Sequence, residues 1–158
     1  ISPTSFIPLA KGVGGYMNST LAKIDAVDNG YDDAIMLGDD GTVAEGSGQN
    51  IFIVKNNNIS TPPNSTGALN GITRRTVIEI AKSKNISIEE KNLTVEDLKN
   101  ADEVFFTGTA TGVVGVVSID GDDISNGRVG EITSDLISSY EDVVNAKDDN
   151  FKSYITLI

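Results

Sequence analysis

The 158-residue chain contains no cysteine and no histidine. Without cysteine there is neither a disulfide nor a thiolate metal site. Without histidine, His-based catalytic triads, imidazole metal ligands and imidazole proton relays are excluded. Any catalytic base must therefore be a lysine, a tyrosine or a carboxylate. Long apolar runs are also missing. None approaches the length of a membrane span, and no signal-peptide pattern is present, so a cytoplasmic protein with no membrane partner is expected. Basic residues are scarce: 12 Lys and Arg stand against 23 Asp and Glu, for a net charge of −11. That balance argues against nucleic acid as a partner. It also means that an anionic ligand would need a local pocket of N–H donors within a repulsive overall field.

What is present is enough for one ordinary domain with a substantial core: hydrophobic residues make up 39% of the chain. Residues 2–10 carry two prolines among apolar residues and read as an extended approach to Lys11. Residues 16–29 read as a helix, with Met17, Leu21, Ile24 and Val27 on one apolar face and Asn29-Gly30 as its stop. Short strands are expected at 34–37, 42–45, 51–55, 59–60, 86–90, 103–107 and 113–119. Helices are expected at 72–84, at 94–99 with Thr94 as N-cap, and along Ile132, Leu136, Tyr140 and Val143. Short strands with inserted helices, and no internal repeat, predict an α/β or α+β domain with a mixed, barrel-like sheet flanked by helices. Five Asn-x-Ser/Thr triplets, at Asn18, Asn58, Asn64, Asn85 and Asn92, are read as chance.

Four stretches carry chemistry. Lys11-Gly12-Val13-Gly14-Gly15-Tyr16 sets one amine before three glycines and a tyrosine. Glycine lets a bulky ring approach the backbone, although the same stretch also suits a surface lysine on a loose loop. Glu45-Gly46-Ser47-Gly48-Gln49-Asn50 places a carboxylate at a strand end, poised to face a site or to sit in a β-bulge. Leu69-Asn70-Gly71-Ile72-Thr73-Arg74 starts a helix whose free N–H groups, with the Thr73 hydroxyl, suit an anion or an ordinary helix start. Arg74 and Arg75 read as outward-facing charges on that helix. Thr107-Gly108-Thr109-Ala110-Thr111-Gly112 follows a strand with small, hydroxyl-bearing residues, as a ligand loop or a tight connection.

Together these stretches resemble the class IV, fold-type IV pyridoxal phosphate-dependent aminotransferases, and most of all the branched-chain amino acid aminotransferases. The family signature is matched by Glu45, Ser47, Asn50, Ile51, Phe52, Ile59, Thr61, Leu69, Gly71, Ile72 and Arg74, with Lys11 and Tyr16 before it and Thr109-Ala110 after it. The resemblance implies a D-amino acid aminotransferase-like large domain with pyridoxal 5'-phosphate as cofactor and no metal. Lys11 would anchor the cofactor and act as the proton-transfer base. Tyr16 would hydrogen-bond its phenolic oxygen, Glu45 would pair with its pyridine nitrogen, and Leu69 would pack on its ring. Ile72, Thr73 and Thr109 would bind its phosphate, and the Thr109–Ala110 backbone would meet the substrate carboxylate. The implied reaction is amino-group exchange between Leu, Ile or Val and 2-oxoglutarate, in a homo-oligomer.

Other implied readings are a D-amino acid transaminase, an aminodeoxychorismate lyase, or a catalytically silent cofactor-binding domain. Gly15 departs from the family's usual Asn. Gly112-Val113-Val114-Gly115 departs from a stretch that commonly carries Glu and Pro. Family members also have a smaller N-terminal domain before the lysine, whereas ten residues precede Lys11 here. Residues 1–158 are accordingly expected to form a single C-terminal, cofactor-binding domain with that smaller domain absent from the chain.

Overall fold

The computed structural model describes residues 11–156; the expected extended segment over 2–10 lies outside them. At the centre is strand β3 (Asn50–Lys55), buried at every position but its last. A strand apolar on both faces belongs in the middle of a sheet covered on both sides. It turns through Asn56 and Asn57, both at positive φ, into β4 (Asn58–Thr61). Asparagine accepts that left-handed backbone at little cost, which suits the tight hairpin. On its other edge β3 pairs antiparallel with β6 (Glu103–Gly108), and β6 pairs with β7 (Gly112–Val116). A parallel pairing of β4 with β5 (Ile88–Glu90) completes a five-stranded sheet in the order β5-β4-β3-β6-β7.

Strand alternation sorts the core into two layers. Phe52, Val54 and Phe105 face helices α2 (Ile72–Ser83) and α4 (Glu131–Val144), where they meet Val77, Ile80, Ala81 and Leu136. Phe52 and Phe105 are cross-strand partners with rings stacked at 4.8 Å. Ile51, Ile53, Val104 and Phe106 face the opposite way, onto Val43, Leu93, Leu98, Ile119 and Ile124. That layer is closed by the hairpin β1 (Ile35–Leu37) and β2 (Val43–Gly46), by helix α3 (Val95–Lys99), and by the small hairpin β8 (Ser118–Ile119) and β9 (Asp122–Asp123). The mixed α/β character is as expected. Among the described residues the strands form three separate sheets and no closed barrel.

Local signals place most elements within a residue or two. Thr94 caps α3 in a full capping box with Asp97. Glu103 caps α4 from outside the helix, its carboxylate accepting the N–H groups of Ile132 and Thr133. The single strand expected over 113–119 is two, β7 and β8. The tail beyond Lys147 forms a 3-10 turn, Asp149–Tyr154, that buries Phe151.

Helix α1 (Tyr16–Asp28) forms where expected, but its apolar face is not buried. Met17 is 69% exposed, Leu21 61%, Ile24 52% and Val27 54%. Periodicity sets the face of a helix; whether that face is covered depends on what packs against it.

Candidate active site

The site forms where the ends of β2, β3 and β6 meet the starts of α1 and α2. Lys11 stands ahead of a 3-10 turn, Val13–Gly15, which runs directly into α1. Its φ is +47°, the left-handed region a side chain rarely adopts. Tyr16 opens α1. Burial, and then the nearby Glu45 carboxylate, raise its phenol above the usual value.

Glu45 sits on β2, just before the chain leaves the strand. Its Oε2 accepts the Leu69 N–H at 2.9 Å and the Asn50 Nδ2 at 3.5 Å. Burial raises its pKa above the ordinary 4.5, with the Leu69 N–H pulling the other way.

The loop over 69–71 folds tightly, with the Gly71 N–H donating to the Leu69 carbonyl at 2.9 Å. Gly71 is the N-cap of α2 and offers no side chain to its first turn. The leading N–H groups of that turn, at Ile72 and Thr73, are therefore available to an anion. Thr73 is buried, with its hydroxyl 3.4 Å from the Tyr140 hydroxyl. Across the site, Thr107 ends the buried part of β6, and its Oγ1 is buried with no hydrogen-bond partner among the described residues. Thr109 and Ala110 follow on an exposed loop.

Of the eight residues picked out by sequence, Lys11, Tyr16, Glu45, Leu69, Ile72, Thr73 and Thr109 line one cavity of about 270 Å³. Ala110 stands beside it on the exposed loop. Gln49, Asn50 and Thr107 also line the cavity, and sequence reasoning assigns them no role. A wider groove of about 850 Å³ runs between α2 and the end of α4; it shares Asn70, Ile72 and Thr73 but is not lined by Lys11 or Glu45. Size alone would favour the groove, whereas the cavity holds the amine and the carboxylate.

Two supports of the site escape a reading of the sequence. Asp33 holds the turn after Glu45: it accepts from the Ser47 hydroxyl, the Gln49 amide at 3.1 Å, the Lys23 ammonium at 3.0 Å and the Ala34 N–H at 2.8 Å. Partial burial works to raise its pKa, but these hydrogen bonds outweigh it and hold the group below 3.8. Its only sequence signal is a place in an acidic pair, Asp32-Asp33, indistinguishable from a solvated turn. Arg74, expected to face outward, is instead 2% exposed. It donates to the Pro62 carbonyl at 3.1 Å and pairs with Glu90 at 3.0 Å, tying the start of α2 to the loop before it and to β5. Arg75, next to it, is exposed as expected.

The donor set suits a flat, phosphorylated aldehyde with a basic ring nitrogen. It offers one amine, one phenol, one carboxylate, an apolar side chain, and a cluster of N–H and hydroxyl groups for an anion. The buried Thr107 hydroxyl and the uncapped start of α2 leave polar groups without a partner among the described residues.

Comparison with known proteins gives a consistent result. Residues 1–119 match the family model described as amino-transferase class IV. A probable branched-chain-amino-acid aminotransferase of Aquifex aeolicus is 46% identical over 147 residues, which are 92% of this chain and 47% of that protein. The crystal structure of a branched-chain aminotransferase from Thermoproteus uzoniensis with norvaline aligns with a TM-score of 0.95 at 41% identity, over 99% of this chain and 52% of the other. The branched-chain amino acid aminotransferase from Thermobaculum terrenum, in its PLP-bound holo-form, aligns with a TM-score of 0.95 at 35% identity, over 99% of this chain and 51% of that one. The chain thus spans about half the length of the curated relatives it matches.

Proposed function

This chain belongs to the class IV aminotransferases, and we propose that it carries the pyridoxal 5'-phosphate site of an enzyme exchanging amino groups between branched-chain L-amino acids and 2-oxoglutarate. The observation that carries the reading is the convergence of Lys11, Tyr16, Glu45 and the start of α2 on one cavity. The cofactor supplies an aldehyde that bonds reversibly to amines and a ring that accepts an electron pair.

Lys11 Nζ is the amine that would hold the cofactor. The same Nζ would be the base that takes up the proton of the substrate Cα and later gives it back. A free lysine, with a pKa of about 10.4, is a cation at neutral pH, so its bond to the aldehyde is what would make it available as a base. Glu45 sets negative charge against the ring nitrogen and keeps it protonated. Tyr16 directs its hydroxyl at the phenolic oxygen, and Leu69 covers a ring face. The N–H groups of Ile72 and Thr73, with the Thr73 and Thr109 hydroxyls, hold the phosphate. The Thr109–Ala110 backbone receives the substrate carboxylate.

The test is made on the protein that contains this chain. L-Leucine and 2-oxoglutarate should yield glutamate, and Lys11→Ala should reduce that yield to the uncatalysed background. Equal turnover by Lys11→Ala would overturn the reading; turnover of D-leucine in place of L-leucine would redirect it to the D-amino acid branch. The reading extends to a homo-oligomer acting in the cytoplasm, which light scattering and cell fractionation test.

A further inference from the structure

Asn50 opens β3 on the helix-facing side of the sheet, directly across from Thr107. It is 5% exposed. Its Nδ2 donates to the Leu69 carbonyl at 2.7 Å and to Glu45 Oε2 at 3.5 Å. The same Glu45 oxygen accepts from the Leu69 N–H. On its other side the amide lies against Gly71, where any Cβ would overlap Asn50 Oδ1. One side chain therefore touches the Glu45 carboxylate, the loop at Leu69 and the N-cap of α2.

The residue type fits the position. An amide nitrogen has two hydrogens, and here it faces two acceptors. Turning the amide over would set Oδ1 against both acceptors, so the orientation is fixed by chemistry as well as by shape. An aspartate here would bring a second negative charge to Glu45, and a longer residue would meet Gly71.

We propose that Asn50 is a positioning residue, which locks the Glu45 carboxylate and the start of α2 into one rigid unit so that the contacts to the cofactor's ring nitrogen and to its phosphate are set together. The proposal rests on the pyridoxal phosphate reading above. It predicts that Asn50 acts through Glu45.

The test is a double-mutant cycle in the protein that contains this chain, with pyridoxal phosphate affinity read from the absorbance of the bound cofactor. Asn50→Asp keeps the shape and removes the donor, and is expected to weaken binding about tenfold. It should also move the pH midpoint of the bound cofactor's spectrum upward, because added negative charge favours protonated neighbours. In the Glu45→Gln background the new amide can donate to the carboxylate that Asn50→Asp introduces. The double variant should then bind several-fold more tightly than the product of the two single effects. Single effects that multiply within about twofold, or a spectral midpoint that does not move, overturn the proposal. Should Asn50→Asp not fold, Asn50→Ser, which reaches neither partner, is read in the same cycle, with its penalty expected to shrink in Glu45→Gln. The two readings fail differently: if the unsubstituted protein takes up no cofactor, the pyridoxal phosphate site itself is refuted, whereas binding with multiplicative effects refutes only the role of Asn50.

Discussion

At the scale of single residues, two carboxylates in the same neighbourhood are tuned in opposite directions, and each leaves a trace in stability. Burial raises the pKa of Glu45 above 4.5. Between the unfolded value and the raised one, the folded chain binds a proton that the unfolded chain has released, so stability falls as pH rises through that window and the penalty persists above it. Glu45→Gln without cofactor should therefore be more stable than the unsubstituted chain at about pH 7, with the advantage shrinking toward about pH 4. Urea midpoints at the two pH values check this, and an advantage that does not change with pH would refute it. Added cofactor should reverse the order, since a protonated ring nitrogen would then stand against the charge. Asp33 is the mirror case. Its pKa is depressed, so its contribution is present above 3.8 and lost as pH falls through the folded value. Asp33→Asn should lower stability by about 1–3 kcal/mol near neutrality, through the loss of charge-assisted hydrogen bonds to Lys23 and Ser47. That difference should vanish in acid.

At the scale of elements, the start of α2 shows both what the chain's local pattern reveals and what it hides. A glycine followed by a helical run marks the N-terminus, and the helix begins at Ile72 as that pattern requires. The reason for the glycine is not legible in the sequence. Its φ is −63°, ordinary for any residue. What excludes a side chain is the amide of Asn50, 21 positions earlier in the chain. Gly71→Ala should accordingly destabilise by about 1–3 kcal/mol through overpacking. Gly14→Ala, in the stretch that looks most glycine-dependent, meets nothing within 4 Å among the described residues and should change stability by less than about 0.5 kcal/mol. Thermal midpoints of the two variants check the contrast. Arg74 teaches the same lesson: helical spacing cannot show that the Pro62 carbonyl and Glu90 converge on it. The apolar stripe of α1 is the converse, since a face patterned for burial is exposed among the described residues. Local signals thus settle element type and most ends. Long-range partners, as at Asn50, Arg74 and Asp33, emerge only once the strands are in register.

At the scale of the whole molecule, the site works against the field around it. The chain carries a net charge of −11. Among the residues lining the cavity, Lys11 is the one cation and Glu45 the one acid. The phosphate contacts of the proposed site are backbone N–H groups and hydroxyls, whose dipoles act at short range and are little affected by salt. The repulsion that an approaching anion feels is long-range. It reaches roughly 30 Å at 0.01 M salt but only about 8 Å at 0.15 M. Salt therefore weakens what opposes entry more than what holds the ligand. Uptake of pyridoxal phosphate by this chain should quicken as ionic strength rises over that range, the reverse of a phosphate site built from arginine and lysine. Stopped-flow absorbance at the two salt concentrations makes the measurement. A rate that falls with salt would mean that cationic side chains steer the ligand, and would place the phosphate somewhere other than at the start of α2.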